Sequence, residues 1–165
     1  MRKTNQEIRE TQVLQEILQG AVICRVAMMD GDRPYILPFN YGYSDGCIYI
    51  HSAPEGKKID LLRKQDLVCF ELEDKVEIVQ GKQACNWSTR YRSVVGYANV
   101  EILNGGKDKQ HGLEVIMRQH GAPDLHTFNQ ENMKRMVILK LRIISMTGKQ
   151  SDPWIPPETP SGAPG

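Results

Sequence analysis

Tyr49-Ile50-His51-Ser52-Ala53-Pro54-Glu55-Gly56-Lys57-Lys58-Ile59-Asp60-Leu61-Leu62 passes from strand to helix within fourteen residues. A strand-like run ends at the small hydroxyl of Ser52, and Pro54-Glu55-Gly56 interrupts it. A short helix over residues 57–64 then carries Ile59 and Leu62 inward. Lysines in a first helical turn oppose the helix dipole, which favours acidic residues there. A bound anion removes that conflict, because free N–H groups and both ammonium groups then face one phosphate. The same spacing suits two solvated surface charges, and spacing alone leaves both readings open.

Working outward, residues 21–29 form an apolar, β-branched strand, and Asp30-Gly31-Asp32 turns it. Residues 33–43 make a second strand, Ser44-Asp45-Gly46 a second turn, and residues 47–52 a third strand. Asp-Gly pairs between apolar runs are strong hairpin signals, so a meander is expected. Pro38 inside the second strand marks an edge, a bulge or a close ligand approach. Downstream, Val68, Phe70 and Leu72 alternate with Cys69, Glu71 and Glu73, a half-buried strand that residues 76–79 extend. Strands also run over 92–103 and 136–147. Helices are expected over 5–18, with the stripe Val13, Leu14, Ile17 and Leu18, and over 107–120, with Leu113, Ile116, Met117 and His120.

Six antiparallel strands with a helix inserted after the third predict a mainly β, α+β architecture of the barrel type. Residues 1–149 are read as one domain with an N-terminal helix, and residues 150–165 as a Pro/Gly-rich tail in which Trp154 is an isolated aromatic. A chain of 165 residues buries roughly 70% of its unfolded surface. The net charge of +1 gives no global field for nucleic acid or membrane, so any anion site must be local. No apolar run is long enough to span a bilayer, and the first twenty residues lack a signal peptide's apolar centre. The four cysteines have neither disulfide-framework nor zinc spacing, which predicts reduced thiols, no metal and a cytoplasmic protein. No G-x-G-x-x-G follows a strand, so a dedicated dinucleotide fold is not expected.

His51-Ser52 followed by Lys57-Lys58, Ile59-Asp60-Leu61-Leu62 and the strand over residues 68–72 resembles the pyridoxamine 5'-phosphate oxidase superfamily. Residues 34–43, His51-Ser52-Ala53, and Trp87 with Arg90-Tyr91-Arg92-Ser93-Val94-Val95-Gly96 are similar to its 5-nitroimidazole resistance (Nim-type) branch. The resemblance spans residues 24–149. It implies a six-stranded split β-barrel with peripheral helices, a homodimer, and flavin bound between subunits, FMN first and FAD as the alternative.

By the same resemblance, Pro38, Phe39, Asn40 and Tyr41 line the isoalloxazine ring, and His51 and Ser52 contact the ring or ribityl chain. Lys57 and Lys58 hold the phosphate, and Ser93 reaches cofactor across the dimer. Trp87 and Arg92 are further cofactor candidates, although Trp87 equally suits interface packing and Arg90 a surface ion pair. His51 is the candidate proton donor, since an unperturbed imidazole titrates near neutrality. It equally suits a packed structural role. His111, His120 and His126 read as structural or surface residues.

The expected activity is a flavin-dependent reductase that passes electrons from an external donor to a small planar acceptor such as a 5-nitroimidazole. A non-catalytic flavin or haem carrier is the alternative, with His51 as a possible haem ligand. Pyridoxamine phosphate oxidation is disfavoured, because those enzymes grip substrate phosphate with basic residues near the C-terminus. Residues 150–165 contain no Lys, Arg or His.

Overall fold

Among the described residues, 4–122 and 128–151, the computed structural model places eight strands in one antiparallel sheet. The strands are β1 (Glu7–Ile8), β2 (Ile23–Asp30), β3 (Arg33–Asn40), β4 (Gly42–Ser44), β5 (Cys47–Ser52), β6 (Leu67–Val79), β7 (Ser88–Leu103) and β8 (Val137–Gln150). Four α-helices accompany them: α1 (Thr11–Gly20), α2 (Lys57–Leu62), α3 (Gly106–Gln119) and α4 (Gln130–Lys134). The mainly β, α+β class is as expected; the strand count is eight rather than six.

Both additional strands are caused by contacts distant in sequence. The expected strand over residues 33–43 divides at Tyr41, whose ring turns into the core and whose hydroxyl donates to the Leu18 carbonyl at 2.6 Å. β3 and β4 lie on either side of that break. The second addition comes from the N-terminal segment. Glu7 and Ile8 pair with Lys149 and Gly148 of β8, so the helix expected over 5–18 starts only at Thr11. α4 was not read from the sequence. Trp154, His126 and the tail from residue 152 onward lie outside the described residues.

The strand order is β3-β2-β6-β7-β8-β5-β4, with β1 added on β8. Its two ends, β3 and β4, are consecutive in the chain, so the sheet curls towards closure without closing. β3 touches β5, yet no ladder joins them. That seam is the split of the barrel.

The inward rows of β2, β6 and β7 meet Leu14, Ile17 and Leu18 of α1 and Ile59, Leu61 and Leu62 of α2 in the main core. A smaller cluster lies under α3, where Leu113, Val115 and Ile116 pack on Cys47, Tyr49 and Ile138. Close approach fixes α3 on the sheet. A β-carbon at Gly42 would fall 2.6 Å from the Val115 and Ile116 backbone. Gly121, at φ +77°, ends α3, and the Gly121 and Ala122 N–H groups donate to the Arg118 and Met117 carbonyls.

Candidate functional site

The end of β5 and the start of α2 meet β3 at the seam. α2 begins at Lys57 directly after Gly56, whose φ of +111° lets the chain turn sharply from β5 into the helix. Lys57 Nζ lies 2.6 Å from Asp30 Oδ2 and 4.8 Å from the centre of the Tyr35 ring. The Asp30 hydrogen bond raises the Lys57 pKa above its ordinary value. Lys58 Nζ stands 5.6 Å from the centre of the Phe39 ring. Both ammonium groups therefore lie against aromatic faces along β3, an arrangement worth little in stability when exposed but orienting for the cations.

Next to Phe39, where β3 ends, Asn40 opens with His51 onto a cleft of about 650 Å³. Its remaining walls are Leu113, Ile116, Met117 and His120 of α3, and Phe128, Asn129, Asn132, Met133 and Met136 on and around α4. No Lys, Arg, Asp or Glu lines it among the described residues. Three amides and two imidazoles supply the polarity of an otherwise apolar site, the usual composition of a small-molecule pocket. Lys109 of α3, buried at its head, fixes this wall. It donates to the Met133 and Met136 carbonyls, the latter at 2.6 Å, and to the Asn104 carbonyl at 3.3 Å.

Residues 10–150 match the family model for pyridoxamine 5'-phosphate oxidase. The chain belongs to this flavin-binding family. Among solved structures, a Bacteroides thetaiotaomicron VPI-5482 protein named for 5-nitroimidazole antibiotic resistance is 30% identical, with 87% of this chain and 86% of that chain covered at a TM-score of 0.77. The FAD and haem binding protein of Mycobacterium smegmatis shares the fold at 16% identity and a TM-score of 0.79, over 93% of this chain and 77% of that one. The flavocytochrome Anf3 of Azotobacter vinelandii shares it at 17% identity and 0.75, over 92% and 72%. No curated protein matches the chain.

The expected family positions separate into three groups. Pro38, Phe39, Asn40, His51, Ser52, Lys57 and Lys58 lie along the seam, on β3, at the end of β5 and at the start of α2. His51, Pro38 and Asn40 are exposed, whereas Ser52 is buried and donates to the Ala53 carbonyl at 2.9 Å. Tyr41 and Arg92 are held inside the fold. Tyr41 is wholly buried, and its hydroxyl is used by the Leu18 carbonyl. Arg92 grips Asp74 through two hydrogen bonds of 3.0 and 2.5 Å and reaches Glu16 at 3.3 Å.

Trp87 and Ser93 stand apart from the seam in the single chain. Trp87 is exposed at the tip of the β6–β7 hairpin, and Ser93 pairs with Glu73 and Lys149 within the sheet. Arg90 forms an ion pair with Glu77 at 3.0 Å. Asp30 and His120 are additions that the sequence reading did not place in the site. Asp30 served there as a turn residue, and nothing in its local sequence signals Lys57. His120 was legible in principle: it ends the α3 stripe whose other members, Leu113, Ile116 and Met117, all line the cleft.

Among the described residues, no group of three His, Cys, Asp or Glu side chains is placed to hold a metal ion. No described helix is long and apolar enough to cross a membrane.

Proposed function

We propose that the protein is a flavin-dependent reductase, acting as a homodimer on a small planar acceptor of the nitroaromatic class. The observation that carries this reading is the continuity of one seam. Lys57 and Lys58 lie against the Tyr35 and Phe39 rings along β3, and the apolar cleft behind Asn40 and His51 opens where that strand ends. The donor set fits a flavin: two ammonium groups suit a phosphate, and Pro38, Phe39 and Asn40 offer a flat strand edge to a ring. FMN is the first choice, with FAD as the alternative.

When bound, flavin supplies the electron transfer, and the protein supplies binding, orientation and polarity. Lys57 and Lys58 anchor the phosphate through charge-assisted hydrogen bonds. Asn40 directs its amide towards ring or acceptor polar atoms. His51 is placed to donate a proton at the cleft mouth, and Met117, Met133 and Met136 exclude water beyond it. With no Lys or Arg among the described cleft residues, a phosphorylated amine finds no anchor, so pyridoxal phosphate formation is not expected. The nitroimidazole-resistance name of the 30%-identical structure supports the acceptor class.

The homodimer is supported by the sheet's outer face. The register aligns Ile36, Ala27, Cys69 and Tyr97 in one row across β3, β2, β6 and β7. Ile36 and Tyr97 are 58% and 52% exposed, and Val95 lies in the neighbouring row. In this reading a second copy covers that face, and Trp87 and Ser93 are the residues assigned to the neighbour's seam.

The Lys57→Ala/Lys58→Ala double variant tests the site. It is expected to lose flavin while its circular dichroism and Tm are retained, and unchanged flavin affinity removes the phosphate assignment. Reduction of a nitroimidazole with NAD(P)H separates a reductase from a carrier.

One observation favours a second reading, haem binding. His51 and His120 line the same cleft as three methionines, and His and Met are both haem-ligand types. A Soret band in the purified protein, with no flavin absorbance, supports haem over flavin.

A further inference from the structure

The outer face of the sheet is not uniformly apolar. In the row beside Ile36, Ala27, Cys69 and Tyr97, the register sets Pro38, Arg25, Glu71 and Val95 side by side. Arg25 Nη1 lies 3.1 Å from Glu71 Oε2 and 2.7 Å from Glu73 Oε2. One guanidinium therefore serves two carboxylates, and the cluster carries one negative charge in excess. All three side chains are half-exposed, so in the single chain water and salt screen that excess.

A second copy seated on this face removes that solvent. Two-fold symmetry would put both copies of the cluster, two guanidiniums and four carboxylates, into one interface, which doubles the buried excess of negative charge. Burying unpaired carboxylates opposes association, whereas a protonated carboxyl donates a hydrogen bond and carries no charge. We propose that Glu71 takes up a proton when two copies close through this face, so that self-association tightens as pH falls through neutrality.

The surroundings of Glu71 favour this. Desolvation and the neighbouring Glu73 raise its pKa to about 7 in the single chain, against the lowering effect of Arg25. β2 offers Arg25 and the thiol of Cys24, whose own titration burial pushes up to about 12. β6 offers Glu73 and Cys69, and β7 faces it with Val95, flanked by Ser93 and Tyr97. Lys149 of β8, beyond Ser93, lies over the Tyr91 ring at 5.8 Å, and Lys75 lines the groove beside Arg25 and Glu73. Further desolvation in the dimer raises the Glu71 pKa again. A group whose pKa is higher in the associated state binds protons on association, so the dimer is favoured below that pKa and weakened above it.

This inference rests on the homodimer reading, and one experiment separates their failures. Sedimentation of the full chain with its bound flavin, combined with subunit exchange between two labelled pools, gives the dimer dissociation constant from about pH 6 to about pH 8.5. The constant is expected to rise at least about tenfold across that range, up to about tenfold per pH unit per copy. Glu71→Gln, which mimics the protonated carboxyl, is expected to flatten the dependence and hold the high-pH constant near the wild-type low-pH value. Glu73→Gln, which leaves a neutral Arg25–Glu71 pair, is expected to move the dependence below this range. A chain that is monomeric at every pH overturns the dimer reading, and this inference with it. A dimer whose dissociation and exchange ignore pH, or whose pH dependence survives Glu71→Gln, overturns the proton linkage alone.

Discussion

Lys57 Nζ lies 2.6 Å from the Asp30 carboxylate, so the cation proposed to hold a phosphate already holds an anion. The pair joins the end of β2 to the start of α2, with the Tyr35 ring against the same ammonium. Both side chains remain exposed, which leaves the pair screened by water and salt. A phosphate arriving at Lys57 must share or displace Asp30.

Asp30→Asn removes this competing charge. Flavin is expected to bind more tightly to the variant at low salt, and the gain is expected to shrink as ionic strength rises. Titration by quenching of flavin fluorescence measures both. Weaker binding in the variant would instead make Asp30 the group that orients Lys57.

Tyr41→Phe separates a structural residue from a cofactor contact. The variant loses the hydrogen bond to the Leu18 carbonyl, but Gln119 Nε2 also donates to that oxygen at 3.1 Å. The acceptor is therefore not orphaned, and the cost is expected near the ordinary net value of about 1 kcal/mol. Urea denaturation measures the loss, and flavin affinity is expected to stay at the wild-type value. A large loss of flavin without loss of stability would return Tyr41 to the ring.

Arg92→Met leaves Asp74 buried without its two-point partner. Glu16 is half-exposed and can turn to water, but Asp74 cannot. Removing one member of a buried pair typically costs about 3–5 kcal/mol, mostly through the stranded charge. The expected result is a large fall in the denaturation midpoint. A fall of under about 1 kcal/mol would mean that water reaches Asp74.

The fold was legible where local chemistry and long-range packing agree. Asp45-Gly46 demands a hairpin, and both residues adopt the positive φ such a turn uses. The alternation of Val68, Phe70 and Leu72 places one face inward, as found. The strand break at Tyr41 was not legible, because its cause is the Leu18 carbonyl, far away in sequence. The pairing of Glu7–Ile8 with β8 was hidden for the same reason, since helical periodicity nearby dominates the local signal. In the candidate site, the place of Lys57 and Lys58 after Gly56 was readable, whereas their neighbour Asp30 was not, because only the folded hairpin brings it to α2. The Arg25–Glu71–Glu73 cluster spans two strands, and each residue alone looks like an ordinary outward charge on a half-buried strand.

Lys109 makes α4 part of the cleft. Its head group is buried and spends all three N–H donors on the carbonyls of Asn104, Met133 and Met136. Two of those carbonyls belong to the wall that presents Asn132, Met133 and Met136 to the cleft. Lys109→Met keeps the length of the side chain but supplies no donor, so three carbonyls lose their partner. Leaving buried acceptors unsatisfied costs about 1–3 kcal/mol, unless α4 moves to hydrate them. Movement is the expected outcome, because a five-residue helix has little stability of its own. Neither Lys57 nor Lys58 is among the residues that line the cleft, so this change leaves both in place. Flavin affinity is therefore expected to hold while KM for a nitroaromatic acceptor rises and kcat changes little. Steady-state kinetics with flavin-saturated variant measures that split, alongside a denaturation curve. A loss of stability with an unchanged KM would place the acceptor elsewhere on the seam and leave α4 with a purely structural part.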